Sequence, residues 1–351
     1  EKKTDPRRRV QVRGVAREGH FDAPELAVRL RPGFFLDGGG VAGLPRDWSD
    51  PEAPCPGRRP WTVAELCAIE PKAWVVDWPG IDATVAPCAQ THGSAAAGER
   101  RWAQFRDAHL QDYAKFRNDI VRPHAVSRMS CYLNVGAVSI FAVVADLWDS
   151  RSGGASKFSD EIIKWREIGY AHAFGRPDDY DSKESVPVWA RAYLDRSLVT
   201  TGPGVPPAHS LDALETGSTG DATWDAMQSY LASTGELHNN ARMTWGKTLA
   251  HWLKYALPAE ELLRTMVHIN DRYALDGLGP PSYAGLLWCL GWGDKPAAGG
   301  GISMKPTSRY RRGGAGAFME ARNALLNSHV VQERSITSFF SAQGPNKKLK
   351  R

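Results

Sequence analysis

Apolar side chains recur every three or four residues through most of the chain beyond residue 100, with polar side chains between them. This spacing places the apolar residues on one face of a helix and predicts a succession of amphipathic helices. Residues 200–219 are rich in Gly, Pro, Ser and Thr, and residues 296–301 are rich in Gly, so both segments are predicted loops. The pattern therefore predicts a mainly α fold. The predicted helices cover residues 101–116, 138–148, 159–173, 186–197, 223–233, 237–256, 258–269, 283–290 and 315–328.

The pattern changes along the chain and divides it into four predicted regions. Residues 1–60 are rich in Arg, Pro and Gly and are predicted to be irregular. Residues 61–98 combine a strand-like piece near Val75 with a polar linker. Residues 99–328 form the predicted helical domain, and residues 329–351 a predicted disordered tail. No internal repeat is apparent.

One predicted helix, 237–256, carries unusual residues on its apolar face. A buried Arg requires an anionic partner, and segment 270–276 downstream offers two carboxylates. Two indoles on a buried face suit electron transfer to a redox cofactor. The alternative is a Trp-rich core helix with a structural salt bridge. The residues that share this face are His238, Arg242, Trp245, Leu249 and Trp252.

Composition narrows the class of protein. The net charge is +5, and basic clusters at 7–9, 305–312 and 347–351 fit a polyanionic partner, although short basic runs are also common on solvated surfaces. Thirteen Trp exceed what a core of this size needs, which suggests stacking or electron-transfer roles. The five Cys lack metal-ligand spacing, so free thiols and no metal site are expected. No apolar run reaches membrane-span length, and no signal peptide is visible.

The motif around the Trp-rich helix resembles a known family. Leu-His-x-x-x-Arg-Met-x-Trp at 237–245, then Asn-Asp at 270–271 and Leu-Asp-Gly at 275–277, is similar to the FAD-binding helical domain of class II cyclobutane-pyrimidine-dimer DNA photolyases. The resemblance covers roughly residues 61–318. It implies the helical fold of the photolyase/cryptochrome superfamily and FAD as cofactor. The N-terminal α/β antenna domain of that family is expected to be largely missing here, the chain being a fragment or a trimmed product.

The resemblance also implies a set of flavin-binding residues. Tyr113 would contact the diphosphate, and Arg117 and Asn118 the adenine side. Ser127 and Ser130 are two hydroxyls just before a helix, where they can donate to phosphate oxygens, although helix capping would explain them equally well.

The remaining flavin contacts lie in and after the Trp-rich helix. By resemblance Arg242 would face the flavin, Asp276 would be its salt-bridge partner, and Asn270 would hydrogen-bond near the reactive ring nitrogen. Asn239 stands where the family usually has Gly, a departure expected to alter the shape of the pocket.

A second set implies a DNA-lesion site. Glu161 and Trp165 are one helical turn apart and share a face, so an indole can stack on a pyrimidine while a carboxyl group bonds its edge. The alternative is an ordinary amphipathic helix with an exposed Glu. By resemblance Glu161 contacts the dimer and Trp288 forms a second aromatic wall. The family also has a chain of three tryptophans that carries electrons to the flavin, and by resemblance it is matched here by Trp245, Trp224 and Trp252. In the basic segment, the residues expected to bind DNA phosphates are Arg309, Arg311 and Arg312.

The C-terminal tail carries a separate signal. Ile336, Phe339 and Phe340, followed by lysines, are similar to the box with which repair proteins dock on the replication sliding clamp. Glu333 stands where that box opens with Gln, so the match is imperfect. The closing basic run also resembles a nuclear import signal, which predicts a nuclear protein, with an organelle as a further destination.

The sequence thus predicts a monomeric flavoprotein that repairs cyclobutane pyrimidine dimers in UV-damaged DNA under light. Two alternatives remain open. A cryptochrome-like blue-light sensor uses the same fold and flavin without repair, and a non-catalytic fragment would bind DNA or the clamp without FAD.

Overall fold

The structure of the 351-residue chain is a computed structural model. It describes residues 82, 84–120, 122–148, 150, 152–201, 208–303 and 314–327. The described residues from Thr84 onward belong to one compact unit, and they contain helices and no strand. The prediction of a mainly α fold is therefore confirmed for this part of the chain. The predicted irregular region, the strand-like piece and the tail lie outside the described residues.

Thirteen α-helices are present in the described residues. They are α1 Ala95–Ala108, α2 Tyr113–Phe116, α3 Ser130–Asn134, α4 Ile140–Trp148, α5 Gly153–Ser159, α6 Arg166–Gly175, α7 Val188–Thr201, α8 Leu211–Thr216, α9 Ala222–Thr234, α10 Asn239–Leu253, α11 Ala259–Tyr273, α12 Pro280–Cys289 and α13 Gly314–Asn327. A π-helix, Asp160–Trp165, joins α5 to α6. Short 3-10 turns cover Leu110–Asp112, Pro123–Ala125 and Lys183–Ser185.

The predicted helix at 101–116 is wrong as a single element. It begins earlier, because Ser94 caps α1 by accepting a hydrogen bond from the backbone N–H of Ala97. The helical region therefore starts before residue 99. The helix also breaks after Ala108, and the chain bends through a 3-10 turn into α2. This bend lets the start of α5 pack directly against the turn.

Two further boundaries differ from the predictions. The predicted loop at 200–219 contains α8, which is capped by Ser210 at its start and by Gly217 in a left-handed conformation at its end. The predicted helix at 159–173 is the middle of a longer helical run that starts with α5 and includes the π-helix. A π-helix depends on tertiary packing and has no simple periodicity signal.

The buried side chains form two apolar clusters. The first contains residues of helices α1 through α5, among them Trp102, Phe105 and Phe158. The second joins α7 to α13 and centres on α10, which packs against α9, α11 and α12. On α10, Trp245 and Leu249 are fully buried, Arg242 is 8% exposed and Trp252 is partly buried. The predicted buried face is therefore confirmed, except that His238 precedes the helix as its N-cap.

Close packing at the bend makes a sharp stability prediction. A Cβ atom at Gly154 would lie 1.9 Å from the carbonyl oxygen of Leu110, whereas a Cβ at Gly153 would meet nothing within 4 Å. We expect Gly154→Ala to lower the free energy of unfolding by about 1–3 kcal/mol, because backbone must move to relieve the overlap. Gly153→Ala is the matched control and should be neutral or slightly stabilising. Urea unfolding measures both, and equal effects would contradict the packing.

Candidate functional site

A cavity of about 340 Å³ lies where the two apolar clusters meet. One part of its lining is apolar and comes from both clusters, which include Met129, Leu133, Phe158 and Leu237. Another part is polar. The polar lining residues include Ser127, Arg128, Ser130, Glu161, Arg166, Glu236, His238, Asn239, Arg242, Asp276 and Ser282. Such a mixed lining is typical of a site for an aromatic cofactor that also carries charge.

A buried ion pair stands at the wall of this cavity. Arg242 contacts both carboxylate oxygens of Asp276, at 2.7 and 3.2 Å. Arg242 also donates to the hydroxyl of Ser282 at 3.3 Å. Burial alone would raise the pKa of Asp276, but the charge of Arg242 and hydrogen bonds from Arg242 and Ser130 hold this pKa below its usual value. Of the two carboxylates that the sequence offered, Asp276 is the partner, and the pair is ionised.

A second charged group fixes the loop before α3. The carboxylate of Glu236 accepts hydrogen bonds from Arg101 at 2.9 Å and from Nε and Nη2 of Arg128 at 2.6 and 3.0 Å. Arg128 adopts a left-handed backbone conformation with φ 55, which a residue other than Gly or Asn rarely tolerates. The ion pairs with Glu236 offset that strain. This loop brings Ser127 and Ser130 to the cavity wall, as predicted.

His238 also lines the cavity and is held as a neutral ring. Its Nδ1 accepts a hydrogen bond from the backbone N–H of Asn240, so the proton is on Nε2. Nε2 is buried near the carbonyl of Arg117 but has no hydrogen bond of good geometry. Burial lowers the pKa of His238 to about 4, and the neighbouring carbonyl only partly opposes this effect. The ring therefore offers a neutral N–H donor beside the cavity.

Four predicted flavin residues have different outcomes. Tyr113 lines the cavity, as predicted. Arg117 does not, because its guanidinium pairs with Glu161 at 2.7 Å. The backbone carbonyl of Asn118 accepts from Asn240, and its side chain does not line the cavity either. Asn270 is set back from the cavity, because its amide nitrogen donates to Ser282 at 3.0 Å and to a neighbouring carboxylate.

The π-helix presents the two predicted lesion residues to the cavity. A π-helix has more residues per turn than an α-helix, so positions four apart lie almost directly above one another. Glu161 and Trp165 stand in this relation and both line the cavity. Glu161 is bound by Arg117 and by Lys157, each at 2.7 Å. Its carboxylate therefore sits between two cations rather than exposed on an amphipathic helix.

Trp165 and Trp288 form an aromatic corner beside the cavity. Their ring centroids are 5.3 Å apart and their planes meet at 77°. Trp165 is 37% exposed and lines the cavity, whereas Trp288 lies behind it and contacts Trp292. The structure thus brings Trp165 and Trp288, the two predicted aromatic residues of the lesion site, into direct contact.

The three other predicted tryptophans are also in contact. Trp245 and Trp224 stack with centroids 6.1 Å apart, and Trp224 touches Trp252 at 5.3 Å. The indole N–H of Trp224 donates to the backbone carbonyl of Trp245. The series runs from fully buried Trp245, one helical turn after Arg242, to partly exposed Trp252.

Several residues of the site were not among the predicted site residues. Arg166 lines the cavity and donates to the carbonyl of Leu133 at 3.1 Å. Gln228 is completely buried and accepts from the indole N–H of Trp245 at 2.9 Å. Ser282 links Asn270 to Arg242. Polar residues at apolar positions of a helix were the available signal for Gln228.

The residues present fit a flavin dinucleotide. The apolar lining suits a fused aromatic ring, the cation of Arg242 suits an electron-rich ring, and the hydroxyls of Ser127 and Ser130 suit phosphate oxygens. No group of His, Cys, Asp or Glu among the described residues could hold a metal ion, and none of their helices is long and apolar enough to span a membrane. Arg309, Arg311 and Arg312, like the clamp-like box, lie outside the described residues.

The fold and the site together describe a helical protein with a cofactor cavity and an aromatic corner beside it. Comparison with known proteins adds relatives. The deoxyribodipyrimidine photo-lyase of Methanothermobacter thermautotrophicus is 32% identical over 196 residues, which cover 55% of this chain and 41% of that protein. The enzyme of Arabidopsis thaliana is 30% identical over 204 residues, covering 56% and 40%. That of Oryza sativa subsp. japonica is 27% identical over 248 residues, covering 68% and 46%.

These similarities show that the chain is related to the photolyases. The chain spans less than half the length of the curated relatives that it matches. No family model matches it. A solved structure, that of a bacterial class III photolyase from Agrobacterium tumefaciens, is 20% identical in sequence and has a TM-score of 0.47. The match covers 70% of this chain and 49% of that one.

The neutral His238 predicts a pH-dependent stability. Its folded pKa of about 4 lies below the ordinary value of about 6.5, so the unfolded chain takes up the proton first as the pH falls. The stability present above pH 6.5 is therefore lost between that value and pH 4, by about 2 kcal/mol at pH 5. His238→Asn keeps a capping acceptor without titrating. Urea unfolding at pH 7 and pH 5 should show a smaller loss for the variant, and an equal loss would contradict the assignment.

Proposed function

We propose that this chain binds FAD in the cavity and acts as a deoxyribodipyrimidine photolyase that splits cyclobutane pyrimidine dimers in DNA under light. One observation carries the proposal. Trp165 lines the cavity that contains the Arg242–Asp276 pair, and Trp288 packs edge-on against Trp165. A lesion in the corner and a flavin in the cavity would therefore lie next to each other, as direct electron transfer requires. The similarity to photolyases supports the same activity.

The cavity residues would hold and tune the cofactor. Arg242 would place a fixed positive charge beside the flavin ring and favour its reduced, anionic form. Ser127, Ser130 and Tyr113 would bind the diphosphate, and Asn270 would act through Ser282. A bound, reduced flavin would supply the chemistry, which is the light-driven loan of one electron to the dimer until the two bonds that join the pyrimidines have broken.

The lesion residues would bind a dimer that is flipped out of the duplex. Trp165 and Trp288 would each stack on one face of it, which replaces the base stacking lost on flipping. Glu161 lines the cavity next to Trp165 and would face the polar edge of a pyrimidine. Its two cationic partners, Arg117 and Lys157, keep its carboxylate in place.

The stacked tryptophans would supply electrons from the protein surface. Partly exposed Trp252 would be the outer member, Trp224 the middle one and buried Trp245 the inner one. Their ring contacts leave no gap in the series. Such a path would reduce a bound oxidised flavin under light.

Several finer assignments belong to the same proposal. The motifs at 237–245 and 275–277 favour class II within the photolyases. Arg309, Arg311 and Arg312 would bind DNA phosphates around the lesion. Docking on the sliding clamp through Ile336, Phe339 and Phe340, a monomeric state and a nuclear location rest on the sequence alone.

The test of this function is light-dependent repair by the purified chain with bound FAD. An oligonucleotide that contains one thymine dimer is added under reducing conditions and illuminated with blue light. We expect thymine absorbance to return in light and not in darkness. Glu161→Ala should slow repair at least about tenfold, equivalent to about 1.4 kcal/mol of lost transition-state stabilisation. Glu167→Ala, an exposed carboxylate on α6, is the matched control and should repair at the normal rate.

The other outcomes separate the alternatives. A chain that retains FAD and photoreduces it but leaves dimers intact would favour a cryptochrome-like sensor. A folded chain that retains no FAD would favour a non-catalytic DNA-binding fragment.

A further inference from the structure

The two indoles of the aromatic corner have a feature in common beyond their mutual contact. Each donates its ring N–H to a carboxylate: Trp165 to Asp160 at 3.3 Å and Trp288 to Asp294 at 3.2 Å. Neither aspartate lines the cavity, so both act from behind the aromatic surface. An indole N–H that has a fixed acceptor cannot flip its ring without losing the hydrogen bond.

Lysines hold both carboxylates in place. Asp160 contacts Lys157 at 2.7 Å and Lys164 at 3.8 Å. Asp294 lies 3.8 Å from Lys247 on α10. Asp160 therefore has lysine partners on α5 and on its own π-helix, and Asp294 has one on α10.

Trp288 is further confined by the turn that follows α12. Gly293 has φ 74, and a Cβ atom there would lie 2.8 Å from the Trp288 ring. Trp292 packs edge-on against the same ring, with centroids 5.3 Å apart at 88°. Backbone, a neighbouring ring and Asp294 thus fix one orientation of Trp288 before any ligand is present.

We propose that Asp160 and Asp294 are positioning residues of the lesion site, each of which holds one indole of the corner at the angle that a flipped-out pyrimidine dimer requires. This inference rests on the proposed function and deepens it. A preset corner lowers the cost of ordering two large side chains when the lesion binds. The aspartates would therefore raise affinity for damaged DNA specifically. They would contribute nothing to FAD binding, because neither reaches the cavity.

The test compares two substitutions at each aspartate. Asp294→Leu removes the acceptor, whereas Asp294→Asn removes the charge and keeps a side-chain oxygen that can accept the indole N–H. Asp160→Leu and Asp160→Asn form the second pair. Asp195→Leu on α7 is the matched control, because Asp195 is exposed and its side chain makes no hydrogen bond among the described residues. All these variants lose one negative charge, so general attraction to DNA changes equally.

Two readouts are needed, and the first is independent of lesion binding. Nitrogen-15 spectra of the holoprotein report the indole N–H groups, and the signals of Trp165 and Trp288 are identified by their loss in Trp165→Phe and Trp288→Phe. The Leu variants should shift the corresponding signal, and the Asn variants should shift it less. The FAD content should be unchanged in all of them.

The second readout is the ratio of affinities for one oligonucleotide with and without a thymine dimer. Each Leu variant should lower this ratio about fivefold to tenfold, which corresponds to the loss of one hydrogen bond of about 1 kcal/mol. The Asn variants should stay within about twofold of the unsubstituted protein, and Asp195→Leu should not change the ratio.

The outcomes distinguish this inference from the proposed function. A preference for damaged DNA that the Leu variants keep would overturn the positioning role alone. An equal fall in the Asn and Leu variants would overturn it too, because charge and not hydrogen bonding would then matter. Unsubstituted protein that binds FAD but does not prefer damaged DNA would instead refute the repair function, and the positioning role with it.

Discussion

The buried charge of Arg242 is the constraint on which the described structure depends. A guanidinium that is 8% exposed cannot remain in an apolar core without an anion, because the desolvation cost would exceed what packing returns. Asp276 must therefore approach α10 from the chain after α11, and Ser282 at the start of α12 completes the set. The helices α10 and α12 and the connection between α11 and α12 are thus tied at one point, which is also a wall of the cavity. Stability and the proposed cofactor site share the same residues.

The five tryptophans of the proposed site form two separate groups. Trp245, Trp224 and Trp252 stack within the core of the second cluster, while Trp165 and Trp288 form a corner next to the cavity. A core alone needs no such separation. A flavin in the cavity would receive electrons from the first group and pass them to a lesion at the second. This arrangement gives a physical reason for five of the thirteen tryptophans.

The periodicity of apolar residues was sufficient to predict the helical class and most helices, because a helix that is buried on one face must carry apolar residues at that spacing. It also predicted that Arg242 needs a carboxylate, and the resemblance named Asp276, which is the partner in the structure. The bend after Ala108 and the π-helix could not be predicted, since both follow from packing of distant segments. Of the lesion residues that the resemblance implied, Glu161 and Trp165 line the cavity and Trp288 contacts Trp165. Arg117, Asn118 and Asn270 do not line it. Their contacts with Glu161, Asn240 and Ser282 depend on the packing of distant segments, which no motif encodes.

If the cavity beside Arg242 holds a flavin, the purified chain must bind FAD. The chain is freed of cofactor, titrated with FAD and followed by flavin fluorescence, with circular dichroism to show that the helices are intact. We expect about one FAD per chain, and binding weakened at least about tenfold in Arg242→Gln, since a charge-assisted contact of about 1.5–3 kcal/mol is lost. A folded, unsubstituted chain that binds no FAD would show that the cavity is not a flavin site.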